Sequence, residues 1–130
     1  MKRTIVQKME QVHDFATKWL DVFRELNGNY QAIFERFTMA EDCRTLGFTM
    51  DCGQAFSAKY GRAASDNKEL KKIIHEVTDV SLLGSAIFSR WRYFNHWSES
   101  GFTDEDRDWF ILVLQQLIVL VDCIMNLNAL

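Results

Sequence analysis

No proline interrupts this chain of 130 residues. Average composition would include it at about 5%. Proline is expelled from helix interiors because it lacks the amide proton and its ring strikes the preceding turn. Its absence predicts an all-α protein, and the apolar periodicity agrees. Ile5, Met9, Val12, Ala16, Trp19, Phe23 and Leu26 alternate spacings of four and three, which draws one stripe along a helix over residues 3–27. Gly28 suits its C-terminus.

The other segments follow from local signals. Tyr30, Ile33, Phe34 and Phe37 predict a short helix over 30–37. Thr38 and Glu41 have capping-box spacing for a helix reaching Leu46 and ended by Gly47. Leu46, Phe48 and Met50 alternate as in a short extended piece, but the favoured reading of residues 47–53 is a tight connection into a helix over 51–60, closed by Gly61. A capping signal at Asp66-Asn67-Lys68-Glu69 precedes a helix over 66–77, with Leu70, Ile73, Ile74 and Val77 on one face. Asp79 is placed to cap the next helix, 80–98, whose apolar line is Val80, Leu83, Ile87, Trp91 and Phe94. Thr103 is a good N-cap for a final helix over 104–127, and Asp104, Glu105 and Asp106 sit at the positive end of its dipole. The expected fold is a single all-α domain, a compact bundle of five or six helices. Its core is the first helix packed against helices 80–98 and 104–127.

From Trp109 to Met125 the last helix is apolar except at Gln115, Gln116 and Asp122. A helix apolar on nearly every side is central to a core or lies between subunits, so a homodimer is expected. A membrane span is disfavoured by the aspartate and two glutamines in the run.

Composition limits the function classes. Fifteen basic and eighteen acidic residues give a net charge of −3, so no general basic field attracts nucleic acid or anionic lipid. Binding of that kind has to use a local patch. At 48% hydrophobic residues, the chain can build a core, which argues against disorder. Cys43, Cys52 and Cys123 are an odd number without C-x-x-C spacing, and polar residues interrupt every apolar position near the N-terminus. Reduced thiols and a cytoplasmic setting are expected.

The stretch Arg90-Trp91-Arg92-Tyr93-Phe94-Asn95-His96-Trp97 puts cationic, titratable and stacking groups within about two helical turns. Arg92 and His96 are neighbours at i and i+4, whereas Arg90 lies on another part of the surface. An arginine beside a histidine can bind phosphate while the imidazole moves protons near neutral pH, a pairing suited to metal-independent RNA cleavage. Arg90, Arg92 and His96 are the catalytic candidates, and Arg92, Tyr93, His96 and Trp97 are the binding candidates. The same residues also have a structural reading. Trp91 and Phe94 fit the core stripe, the arginines can pair with the acids of 104–108 or with Glu99, and His96 can cap a carbonyl at the helix end.

Other chemistry is less well supplied. Glu10-Gln11-Val12-His13 has Glu-x-x-His spacing, but no second copy exists for a di-iron bundle. His13, His75 and His96 lie on three predicted helices, and nothing in their spacing requires that they converge. No metal site and no cofactor are expected. Cys52 precedes a predicted helix, whose N-terminus lowers a thiol pKa, but the adjacent Asp51 opposes that. Cys43 and Cys123 read as core positions. No Gly-rich phosphate loop, His-x-Glu signature or Gly-x-Ser-x-Gly elbow is present.

Two resemblances rest on these residues. Arg90 and His96, with five residues between them near a helix end, resemble the signature of HEPN domains, and the following helix with Trp109 resembles their layout. In that signature a polar residue commonly follows the arginine, where this chain has Trp91. The resemblance implies a helical dimer that cleaves RNA or binds nucleotides or proteins. Residues 83–93 with His96-Trp97, and residues 47–53, resemble an uncharacterised family of small helical proteins from Clostridia-like gut bacteria. That resemblance implies a bacterial cytoplasmic protein and supplies no mechanism. The sequence therefore favours a non-enzymatic binding or regulatory module over a HEPN-like metal-independent ribonuclease or nucleotide-binding domain using Arg90, Arg92 and His96. The expected partner is a second copy, with another protein or RNA as alternatives and no membrane.

Overall fold

A computed structural model describes residues 2–25, 40–96 and 103–126, with side chains described at 7–25, 44–92 and 103–126. Four helices account for these residues: α1 (Lys2–Glu25), α2 (Ala40–Ala64), α3 (Lys68–His96) and α4 (Asp104–Met125). The helix expected over 30–37, the Thr38 cap and Gly28 lie outside the described residues.

The helices form two antiparallel pairs. α1 packs along α4, as expected for the first and last helices. Five residues of the α1 stripe, Met9, Val12, Ala16, Trp19 and Phe23, are buried, facing Phe110, Leu114, Leu117, Val121 and Ile124 within one core, while the side chain of Ile5 and the whole of Leu26 lie outside the described residues. Phe23 stacks on Phe110 at one end, with ring centroids 4.8 Å apart, and His13 meets Asp122 at the other at 3.2 Å. α2 packs along α3 in the second pair, and α3 also leans on α4, which joins the pairs. The main neighbour of α3 is therefore α2; direct packing of α1 on α3, expected as part of the core, is slight.

Two expected helix breaks are absent. Residues 40–64 run as one helix through Gly47, Gly53 and Gly61, and residues 68–96 run as one helix through Asp79. The reason lies between α2 and α3. A Cβ added at Gly53 would sit 2.7 Å from Ser81 Oγ and 3.0 Å from the backbone of Thr78. One added at Gly84 would sit 2.8 Å from Thr49 Cγ2 and 3.2 Å from Met50 N. These two glycines let two helices approach closely, and the packing gained outweighs the roughly 1 kcal/mol that glycine costs inside a helix. Asp79 is exposed on α3 and caps nothing. The α2–α3 turn is short because Asn67 closes it, its Oδ1 accepting from the amides of Glu69 (3.0 Å) and Leu70 (3.2 Å).

α4 begins as expected. Thr103 is its N-cap, and Asp106 returns the bond to complete a capping box.

Candidate functional site

The cationic-aromatic stretch lies at the C-terminal end of α3, beside the start of α4. Arg90 is held there. Its Nη1 donates to Asp106 Oδ1 at 2.8 Å, and its guanidinium carbon lies 4.5 Å from the centroid of the Trp109 ring. Asp106 uses its second oxygen for the cap, accepting from the backbone N–H and the hydroxyl of Thr103, each at 2.9 Å. One carboxylate thus fastens the α4 N-terminus to the end of α3. Arg92, two positions on, is exposed on a different side of the helix. His96 is the last residue of α3. The side chains of Tyr93 and His96, and the whole of Trp97, lie outside the described residues. Arg90 and Arg92 therefore do not share one face, and the pairing of an arginine with the acids of 104–108 is realised by Arg90.

The other candidates separate. His13 pairs with Asp122 across α1 and α4 rather than with a metal-ligand set, and Glu10 is exposed. Among the described residues no group of three or more His, Cys, Asp or Glu side chains is placed to hold a metal ion. Cys52 is not at a helix N-terminus but buried inside α2. Its Sγ lies within hydrogen-bond distance of the Thr49 carbonyl (3.2 Å), the Val77 carbonyl (3.7 Å) and Ser81 Oγ (3.4 Å). Burial pushes its thiol pKa up, and the charge of Asp51 adds to that, against smaller opposing hydrogen bonds. Such a thiol stays protonated and inert. Cys123, expected in the core, is exposed. It lies on the outward stripe of α4, which the all-round apolar pattern of that helix conceals.

That stripe is the surface feature that motif reading did not single out. Leu82 of α3 (64% exposed) and Leu112 and Val119 of α4 (53% and 61%) stand on the outside of the molecule. Between them Leu83 and Leu120 floor a groove of about 580 Å³, edged by Asp79, Gln115 and Gln116. The signal in the sequence was the apolar excess of residues 109–125. By length and composition α4 could also cross a membrane, and 33% of its most apolar stretch is buried in the molecule. A second cleft, about 660 Å³, lies between α1 and α2, with Asp14, Lys18 and Arg44 among the residues of its wall.

No protein-family model, curated protein or solved structure matches the chain.

Proposed function

We propose that the protein is a non-enzymatic binding or regulatory module of the bacterial cytoplasm, and that it docks a macromolecular partner on the outward face of α3 and α4. The observation that carries this reading is the groove between Leu82, Leu112 and Val119. Exposed leucines at the rim of a concave apolar surface cost hydration free energy that a partner recovers. The helix expected over 30–37, which would bring the bundle to five helices, belongs to the same proposal, as does the kinship with the small proteins of gut bacteria.

A HEPN-like ribonuclease is the second reading. Its support is the helical register of Arg92 with His96 near the end of α3, with Arg92 exposed. Arg90 counts against it, because a guanidinium engaged by Asp106 and Trp109 is spent on structure.

Two experiments separate the readings. A photo-crosslinking residue at position 112, compared with one at the exposed Gln54 of α2, is expected to form adducts in cells from position 112 alone. Equal yields from both positions would remove the docking face. Labelled single-stranded RNA incubated in EDTA with the protein and with His96→Ala is expected to stay intact in both. Cleavage by the unmodified chain only would establish the ribonuclease instead.

A further inference from the structure

We propose that the occupant of the α3–α4 face is a second copy of this chain, related by a two-fold axis beside Gln115 and Gln116. The inference deepens the docking-face reading and rests on it. On a helix of 3.6 residues per turn, Asp108, Leu112, Gln115, Gln116, Val119 and Cys123 lie along one stripe, and all six are exposed. Its apolar pair, Leu112 and Val119, is centred between residues 115 and 116. An antiparallel copy of α4 laid over that centre sets Leu112 against the partner's Val119 and Gln116 against the partner's Gln115.

The chemistry of the centre is what suits a copy of itself. Near a two-fold axis each group meets its own equivalent. A charge there repels itself, whereas an amide both donates and accepts. No charged residue occurs from Trp109 to Val121, and the two groups at the centre are amides. Among the described residues that line the groove, Asp79 is the single charge. A lipid environment fits less well, because mid-helix amides would face hydrocarbon without partners.

The size fits as well. Twenty-two residues span about 33 Å, and two helices side by side are roughly 20 Å across, which gives roughly 600–700 Å² per copy. A standard interface buries about 800 Å² per partner.

The geometry sets a distance rule. Cys123 is seven to eight residues from the centre, so its two copies stand about 22 Å apart along the antiparallel helices. That is far beyond the roughly 7 Å limit between disulfide-bonded Cα atoms. Position 116 lies almost on the axis, where closely packed helices bring Cα atoms to within about 6 Å.

Sedimentation equilibrium of the purified chain, combined with mild oxidation of wild type and of Gln116→Cys in a Cys123→Ser background, tests this. Wild type is expected at twice its 15.2 kDa chain mass. It should not cross-link through Cys123, while the Gln116→Cys chain should become mostly disulfide-linked dimer. A dimer that cross-links through Cys123 and not through position 116 overturns the arrangement. A monomer whose position-112 adduct contains another protein or a lipid overturns the second copy and leaves the docking face standing. A monomer without any position-112 adduct removes both.

Discussion

Replacing Gly84 by alanine tests the close approach of α2 and α3 directly. Alanine in a helix interior is favoured over glycine by about 0.8–1 kcal/mol, so on propensity alone the change stabilises. The new Cβ, however, would meet Thr49 Cγ2 at 2.8 Å and the backbone of Thr49 and Met50 at 3.2 Å. The methyl cannot swing away cheaply, because Thr49 is fully buried and its hydroxyl donates to the Thr45 carbonyl at 2.7 Å. The backbone atoms have no rotamer to adopt at all. Overpacking of this kind costs typically 1–3 kcal/mol, which leaves a net loss of about 1 kcal/mol after the propensity gain. Gly47 supplies the control, since a Cβ there meets nothing within 4 Å and keeps its propensity gain. The two variants should therefore differ by about 2 kcal/mol, or roughly 8 °C in melting temperature for a chain of this size. Thermal denaturation followed by circular dichroism reads the difference. Gly84→Ala melting as high as Gly47→Ala would refute the contact, and with it the explanation for an unbroken α2.

Three further outcomes follow from the same physical picture. Asp106→Ala removes both the α4 cap and the Arg90 partner. It should cost about 1 kcal/mol for the cap plus a fraction of that for a partly exposed ion pair; Thr103→Ala should lose only the cap portion, and an equal effect of added salt on both variants would show that Arg90 contributes nothing. Iodoacetamide near neutral pH should modify Cys123 readily and spare Cys52 until the chain unfolds, so rapid labelling mapped to the Cys52 peptide of folded protein would contradict the burial of Cys52. The Cys52 pKa is raised on folding, so the thiol contributes stability that is complete below its ordinary value of 9.0 and falls as pH rises through its folded value. Denaturant melts should therefore show a loss above pH 9 that Cys52→Ala lacks; identical pH profiles would count against the desolvation argument.

The parts of the fold legible in the sequence are those where one signal acts alone. α1 carries a single stripe, and its five central residues are buried as spaced. Thr103 and Asp106 are a local motif, and they cap α4 in the structure. Gly47, Gly61 and Asp79 misled because boundary signals are local, whereas α2 and α3 continue along each other as packed neighbours. A glycine reads the same in sequence whether it ends a helix or admits another one. Cys123 misled for a different reason: when nearly every position of α4 is apolar, the pattern carries no phase, and the outward face cannot be told from the inward one. The pairing of Arg90 with an acid of the 104–108 run was foreseen as a class, but the choice of Asp106 depends on how α3 and α4 meet in space. No local pattern marked the groove at Leu82, because it exists only once Leu82 and Leu112, 30 residues apart in sequence, lie side by side.

The pairing of α1 with α4 has a consequence for how the chain is born. α2 and α3 are joined by a turn closed at Asn67 and can zip together as soon as both have left the ribosome. α1 is synthesised about eighty residues before its main companion, α4. During synthesis the strip of Met9, Val12, Phe15, Trp19 and Phe23 is therefore an orphan, exposed to chaperones and to other nascent chains until residue 125 emerges. A stall or truncation before α4 leaves this aromatic seam open, so quality control of the chain turns on whether residues 104–125 follow.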